Sequence, residues 1–201
     1  MQTNEIEAKI MGYIRVHSGF AAHRGYLGMS HLGECPRKLY NQFMNGQMSD
    51  DRSHLGAFAG YSMEKIEREV LAGAGILKAG YVEGELVAGF DPLLRGHIDG
   101  VTVDGDLLEI KSVSTNKFEK IIKNNQPMAE HYFQVQVYMH FGGYSQAVIV
   151  YVAREFFQHK VFLVRRDMAV TARLVGNARL VLKAIHEQIP PECTCKKCEV
   201  A

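Results

Sequence analysis

The chain has 201 residues, of which 47% are hydrophobic and 22% are charged, and its formal net charge at pH 7 is +1. This balance excludes a basic field over the whole molecule, so binding to a polyanion would have to come from a local patch. Because the first ten residues are polar and no long apolar run follows, we expect neither a signal peptide nor a membrane span. We expect a single cytoplasmic domain over residues 1–201 with a core at about 54–188, in a prokaryotic or phage-infected cell.

The first part of the chain is predicted to be helical. A stripe of Ile6, Ile10 and Ile14 indicates a helix over residues 4–16, and a loop rich in Gly, Ser and His follows over 18–34. Pro36 is well placed to open a short helix, because proline is tolerated in a first turn. A longer helix is expected over residues 53–72. Its candidate core positions are Leu55, Phe58, Ile66 and Val70.

Strands and helices are predicted to share the rest of the chain. In order, these are strands over 81–89, 94–103 and 106–113, helices over 115–124 and 127–141, strands over 146–153 and 158–164, and a helix capped by Asp167 and ended by Pro190 and Pro191. This order predicts an α/β fold in which helices flank a mixed sheet.

Two neighbouring strands carry an acid–acid–lysine set. Asp99 lies on one strand, and Glu109 and Lys111 lie two residues apart on the next. Carboxylate oxygens bind hard cations such as Mg²⁺ or Mn²⁺, and a metal held in this way can activate water against a phosphodiester. A lysine can stabilise the charge that develops. The alternative is a surface hairpin with scattered charges.

The length of the connecting loop decides whether these groups meet. A two-residue turn would pair Asp99 with Ile110, whereas a three-residue loop over 103–105 would set Asp99 opposite Glu109. Three-residue loops commonly end in a left-handed residue, and Gly105 occupies that place. The sequence therefore favours the register in which the two carboxylates face each other.

Four cysteines divide between an early helix and the tail. Cys35 precedes Pro36, and Cys193, Cys195 and Cys198 crowd into the last residues. Clustered cysteines in a cytosolic chain indicate metal ligands, and four thiolates suit zinc or an iron–sulfur cluster. Such a site would staple the tail at 190–198 to the early helix. The alternatives are a redox-prone tail, or a tail site that leaves Cys35 free.

The helix from Pro127 adds polar groups on one face. Gln134 and Tyr138 lie four residues apart, with His131 beside them. Taken alone, they suit either a cleft wall or a half-exposed amphipathic helix.

Together these motifs resemble a known nuclease family. Asp99, Glu109-Ile110-Lys111 and Gln134-x-x-x-Tyr138, in this order, resemble the RecB-like branch of the PD-(D/E)xK nucleases. The cysteines resemble its iron–sulfur members, which include AddB-type recombination nucleases and small stand-alone CRISPR-adaptation nucleases. The length of the chain is most similar to the latter or to phage-borne relatives. The resemblance covers residues 28 to 198 and implies a restriction-endonuclease-like core.

The resemblance also implies roles for individual residues. Asp99, Glu109 and the Ile110 carbonyl would bind Mg²⁺ or Mn²⁺, and Lys111 would be the catalytic lysine. Gln134 and Tyr138 would contact DNA. The four cysteines would hold a four-iron, four-sulfur (4Fe–4S) cluster.

Two departures from the family pattern matter. Relatives usually carry a metal-binding histidine four residues after a glycine on an early helix, whereas Gly60 is followed at that spacing by Glu64. A carboxylate serves a hard cation well, so we nominate Glu64, with His54 as the alternative. The cysteine tail is also tighter than in many relatives, with one and two intervening residues. That spacing leaves zinc open as the alternative to the cluster.

Basic residues near these motifs are candidates for DNA contact. Lys117, Lys120 and Lys123 recur at three-residue spacing just after the Glu109–Lys111 strand, and Arg37 follows Cys35. His97 would lie opposite Lys111 in the favoured register and could reach a phosphate. A solvated helix face and an ordinary strand histidine are the competing interpretations.

The sequence thus predicts a metal-dependent nuclease, most simply an exonuclease that processes DNA ends and prefers single strands. Its setting would be recombination, repair, phage DNA metabolism or CRISPR adaptation, where protein partners are expected. The alternatives are a non-catalytic module that binds DNA ends and an endonuclease of restriction type.

Overall fold

The computed structural model describes residues 3–19, 24–46, 50–80, 84–193 and 195. The helices of this part are α1 (Thr3–His17), α2 (Pro36–Asn45), α3 (Asp51–Gly73), α4 (Thr115–Asn124), α5 (Ala129–Gly142) and α6 (Met168–Glu187). The strands are β1 (Leu27–Gly28), β2 (Gly84–Val87), β3 (Leu94–Ile98), β4 (Gly100–Val101), β5 (Leu107–Val113), β6 (Gln146–Ala153) and β7 (His159–Arg165). None of these helices is long and apolar enough to cross a membrane.

The strands form two sheets with helices against them. One sheet has the order β1-β3-β2, and the other has the order β4-β5-β6-β7. In the larger sheet β5 and β6 run parallel, whereas β4–β5 and β6–β7 are antiparallel pairs. The parallel pair needs a long crossover, which α4 and α5 supply. The predicted mixed α/β architecture is confirmed.

The loop between β4 and β5 has the predicted length. Gly100 pairs with Leu108 and Val101 with Leu107, which leaves the three-residue loop 103–105. Gly105 has φ +90°, a backbone conformation that a residue with a Cβ rarely adopts. The same register continued by one residue sets Asp99 opposite Glu109, as predicted.

The predicted strand over 94–103 is broken at Asp99. Before the break β3 pairs with β2, and after it β4 pairs with β5. His97 therefore lies opposite Glu85, so its predicted place opposite Lys111 is wrong. The chain therefore leaves the smaller sheet for the larger one at Asp99.

The main core extends from the larger sheet through α5 and α6 to α2 and the smaller sheet, and it includes the fully buried Tyr151 and Leu174. Asp167 caps α6 as predicted, by accepting hydrogen bonds from the backbone of Ala169 and Val170. A second, smaller cluster fills the space between α3 and the opposite face of the sheet. Its members are Leu71, Leu77, Leu108, Ile110, Val148 and Val150.

The predicted core positions of α3 are largely wrong. Leu55, Ile66 and Val70 are exposed, whereas Glu67 and Leu71 are buried. Apolar spacing misled the prediction because this helix covers only part of the sheet and buries a glutamate in addition to a leucine. The predicted Ile stripe of α1 is also not buried.

Candidate active site

Glu109 lies at the centre of a buried polar cluster on β5. Its side chain is 1% exposed, and its Oε1 atom is 2.6 Å from Lys111 Nζ. The same oxygen accepts a hydrogen bond of 2.6 Å from Gln134 Nε2 on α5. The cluster therefore joins the sheet to the crossover helix through one carboxylate oxygen.

Asp99 is held across from Glu109 by backbone contacts. Its Oδ2 atom accepts a hydrogen bond of 2.6 Å from the backbone N–H of Ile110. Arg68, on α3, donates to the backbone carbonyl of Asp99. Asp99, at the break between β3 and β4, is therefore held by β5 through its side chain and by α3 through its backbone carbonyl. These contacts fix the Asp99 carboxylate beside the strand that carries Glu109 and Lys111.

The charges of this cluster act strongly on one another. Burial raises the pKa of Glu109 to about 8, and the negative charges of Asp99 and Glu64 add to this rise while Lys111 opposes it. Burial by itself lowers the pKa of Lys111, but the carboxylates of Glu109 and Asp99 outweigh it and raise that pKa. The Lys111 ammonium therefore stays charged at neutral pH.

The donor set fits a hard divalent cation. Glu109 Oε2 is buried and has no hydrogen-bond partner among the described residues, an arrangement that is costly unless another ligand meets it. Glu64, Asp99 and Glu109 do not all lie within 4.8 Å of one another, since in the described part only a cysteine group meets that limit. Glu64 is nevertheless close enough for its charge to raise the pKa of Glu109. His54 instead bonds to Ser18, at 2.9 Å.

Tyr138 approaches the same cluster from α5. Burial raises its pKa, with the Glu109 charge adding to the effect, so the hydroxyl remains protonated. A Cβ atom at Gly96 would lie 2.7 Å from the Tyr138 ring. The glycine therefore allows β3 to approach α5, which brings Tyr138 beside the carboxylates. Gln134 and Tyr138 share one helix face, as their spacing predicts.

A pocket of about 620 Å³ opens beside Lys111. Gln134 and Tyr138 line it from α5, and Arg24 and His31 line it from the N-terminal segment. His131 also faces this pocket. Burial, together with the charges of Lys111 and Lys117, lowers the pKa of His131 to about 3, so its ring is neutral at pH 7.

The three predicted DNA-contacting lysines are exposed on α4. Lys120 and Lys123 border a separate shallow depression with Asn116 and Glu119. The charge of Lys117 contributes to the lowered pKa of His131, but Lys117 is not among the residues that line the pocket beside Lys111. The three-residue spacing therefore keeps the lysines on the surface of α4 and does not bring them to the pocket.

Three of the four predicted cysteine ligands meet at one place. The sulfur atoms of Cys35, Cys193 and Cys195 lie within 4.8 Å of one another, and Cys198 falls outside the described residues. Arg37, on α2, donates a hydrogen bond of 2.5 Å to the carbonyl of Pro191. The tail is thus fastened to the start of α2 as predicted, and Arg37 takes part in the attachment.

Comparison with known proteins identifies the fold. No protein-family model matches the chain, and no curated protein matches it. An alkaline exonuclease from Laribacter hongkongensis, LHK-Exo, is similar with a TM-score of 0.63 and 19% identity over 82% of this chain and 89% of that one. The same enzyme in complex with dAMP matches with 17% identity over the same shares. The protein SSO0001 is similar with a TM-score of 0.55 and 15% identity over 91% of this chain and 87% of that one. The chain has a restriction-endonuclease-like fold.

Several residues of the site were missed from the sequence. Arg68 lies four residues after Glu64, so helical spacing could have placed it on the same face. Arg24 lies in a loop and His31 ends a single-turn 3₁₀ helix (Met29–His31), where helical or strand spacing gives little guidance. The hydrogen bond from Gln134 to Glu109 was also unforeseen, because it depends on how α5 packs against β5.

Proposed function

We propose that this protein is a metal-dependent nuclease that acts on DNA ends. The observation that carries the proposal is the juxtaposition of Asp99, Glu109 and Lys111 across the β4–β5 hairpin, with one Glu109 oxygen left without a partner among the described residues. Exonucleases among the proteins of similar fold support it.

Asp99 and Glu109 would hold the metal, with Glu64 and the Ile110 carbonyl as further ligands. Bound there, Mg²⁺ or Mn²⁺ supplies a Lewis acid and an activated water for phosphodiester hydrolysis. Lys111 carries a positive charge at the same point, where it can stabilise the charge that develops on the phosphate. Gln134 fixes the orientation of the Glu109 carboxylate.

The pocket beside Lys111 is the place for the end of the DNA chain. Arg24 and His31 supply polar and basic groups there, and Phe133 supplies an aromatic ring on which a base can stack. Tyr138 would donate its hydroxyl to the scissile phosphate or to a neighbouring one. An aromatic ring and basic groups in one pocket suit an unpaired base and its phosphate, so we propose an exonuclease that prefers single strands.

The cysteine group would bind a metal that fastens the tail. We propose a 4Fe–4S cluster with Cys198 as the fourth ligand, and zinc is the alternative. Cys35 at the start of α2 would share this metal with Cys193 and Cys195 of the tail, so the site would act on stability by holding the tail in place. Recombination, repair, phage DNA metabolism and CRISPR adaptation are the proposed settings, with protein partners from those pathways.

A time course on two DNA substrates tests the function. End-labelled linear DNA, single-stranded and duplex, is compared with closed circular DNA in Mg²⁺ or Mn²⁺. Release of labelled nucleotides from linear DNA alone is the expected result. Equal cutting of closed circles would identify an endonuclease. Binding to ends without any cleavage would identify a non-catalytic module and overturn the proposed reaction.

A further inference from the structure

Strand β7 is an edge of the larger sheet, and half of its backbone groups face outward. Backbone hydrogen bonds join Ala153 N to Gln158 O, at 2.9 Å, and Arg166 N to Ser145 O, at 3.1 Å. In an antiparallel pair every second residue bonds to the neighbouring strand, so these two bonds show which residues of β7 face β6. Even-numbered residues of β7 therefore bond to β6, and the N–H and C=O groups of Val161 and Leu163 point away from the sheet. Among the described residues these two have no backbone partner.

The side chains of the same two residues are also open. Val161 is 50% and Leu163 is 67% exposed, although both lie on the sheet face that α3 covers farther in. Pairing sets Val161 opposite Val150 and Leu163 opposite Val148, and both valines belong to the cluster beneath α3. The apolar surface under the helix thus continues out to the edge strand without a cover from the described residues.

Helix α3 approaches this end of the sheet through one side chain. Arg68 contacts Asp99 on the active-site side of the helix, whereas Glu67 contacts His159 at the start of β7. Ile66 and Val70 lie on the flank of α3 away from Arg68, and both are exposed. On β7 itself, the exposed side chains of Val161 and Leu163 form an apolar shelf that borders their free backbone groups.

The charges around this shelf select the occupant. Residues 158–166 include Lys160, Arg165 and Arg166 and contain no acidic residue. Glu67, which is paired with His159, is completely buried and presents no charge to an incoming strand. Pairing of β7 with β7 of a second copy would bring these basic ends together, which is unfavourable. An acidic strand would meet them with the opposite charge.

We propose that β7 binds an extended acidic segment of a partner protein, which adds to the sheet as a fifth strand. Main-chain hydrogen bonds to Val161 and Leu163 would supply affinity, and alternate apolar residues of the segment would lie on the shelf. Acidic residues between or beside them would meet Lys160, Arg165 and Arg166. This docking site is separate from the metal-binding cluster and independent of the proposed reaction.

A labelled peptide of about eight residues in which valine alternates with glutamate tests this site by fluorescence anisotropy. Three controls share its length: a lysine-for-glutamate peptide, and two peptides N-methylated on one or the other set of alternate amides. We expect saturable binding of the acidic peptide, no binding of the lysine peptide, and loss in only one N-methylated form. Hydrogen exchange should slow at the Val161 and Leu163 amides, with Lys160 and Phe162 unchanged.

Matched variants complete the test. The double change Val161→Thr and Leu163→Thr keeps residues that suit a strand, and it should weaken binding about tenfold or more. Leu180→Thr, which alters an exposed leucine on α6, should bind as the wild type does. Failure of the acidic peptide to bind, or equal binding by the double variant, would overturn the proposal. Self-association that the double variant abolishes would also overturn it, by making a second copy the occupant.

Discussion

The side chain of Gln134 donates a hydrogen bond of 2.6 Å to the Glu109 oxygen that Lys111 also contacts. Both contacts use the Oε1 atom of Glu109, and its Oε2 atom has no partner among the described residues. Gln134 therefore holds the carboxylate in the orientation that leaves Oε2 open to a metal, which is a positioning role. We predict that Gln134→Ala weakens Mn²⁺ binding and nuclease activity by about 10- to 100-fold, the usual cost of losing a residue that orients a metal ligand.

Gln136 provides a matched control for Gln134 on the same helix. It is completely buried, donates to the Arg165 carbonyl and accepts from the Asp167 backbone, away from the carboxylates. Gln136→Ala should lower the melting temperature yet keep the Mn²⁺ affinity of the folded protein, as measured by titration calorimetry. If both variants lower the melting temperature and neither changes the Mn²⁺ affinity, Gln134 does not orient Glu109 for metal binding.

Glu64 is predicted to contribute to metal binding without supporting the fold. Its charge raises the pKa of Glu109, which places it near the cluster. Glu64→Ala should raise the Mn²⁺ concentration needed for half-maximal activity about tenfold and leave the melting temperature nearly unchanged. Glu69→Ala, at an exposed position of the same helix, should change neither quantity. An unchanged metal requirement in Glu64→Ala would remove Glu64 from the site.

The part of the site that local chemistry determines could be predicted from the sequence. Gly105 identified the three-residue loop, and strand alternation then set Asp99 opposite Glu109 and kept Glu109 and Lys111 on one face. The spacing of Gln134 and Tyr138 gave their common helix face. Each of these relationships spans a few residues and follows from backbone periodicity.

Relationships that depend on how distant elements pack could not be predicted in this way. The predicted strand breaks at Asp99 because its first part pairs with β2 and its second part pairs with β5. His97 consequently lies opposite Glu85 instead of opposite Lys111. The burial of Glu67 depends on His159, which is 92 residues away in sequence. The contact of Arg37 with Pro191 spans 154 residues. Periodicity carries no information about any of these.

The cysteine site is predicted to act as a staple between the tail and α2. Protein isolated without oxygen should be brown and should show the broad visible absorbance of an iron–sulfur cluster. This absorbance should be lost in each of four single variants: Cys35→Ser, Cys193→Ser, Cys195→Ser and Cys198→Ser. Each variant should also lower the melting temperature, because the tail is released from the start of α2. Colourless protein with one zinc per chain would keep the staple and contradict the cluster.

DNA affinity is predicted to depend on the lysines of α4. Replacing Lys117, Lys120 and Lys123 by Glu should weaken DNA binding and flatten its dependence on log salt, by about two units on a single strand if all three contact phosphates. A triple variant with wild-type affinity and slope would place the groove elsewhere.

The most direct test of the account is the metal requirement of cleavage in the wild type and in three single variants. Protein stripped with a chelator is given end-labelled linear DNA with and without added Mn²⁺, and the rate is followed under single-turnover conditions. The wild type should cut only with Mn²⁺. Asp99→Ala, Glu109→Ala and Lys111→Ala should each slow cleavage at least about 100-fold, equivalent to about 2.7 kcal/mol of barrier. Cleavage by folded Lys111→Ala at the wild-type rate, or full activity of the wild type without any divalent metal, would contradict it.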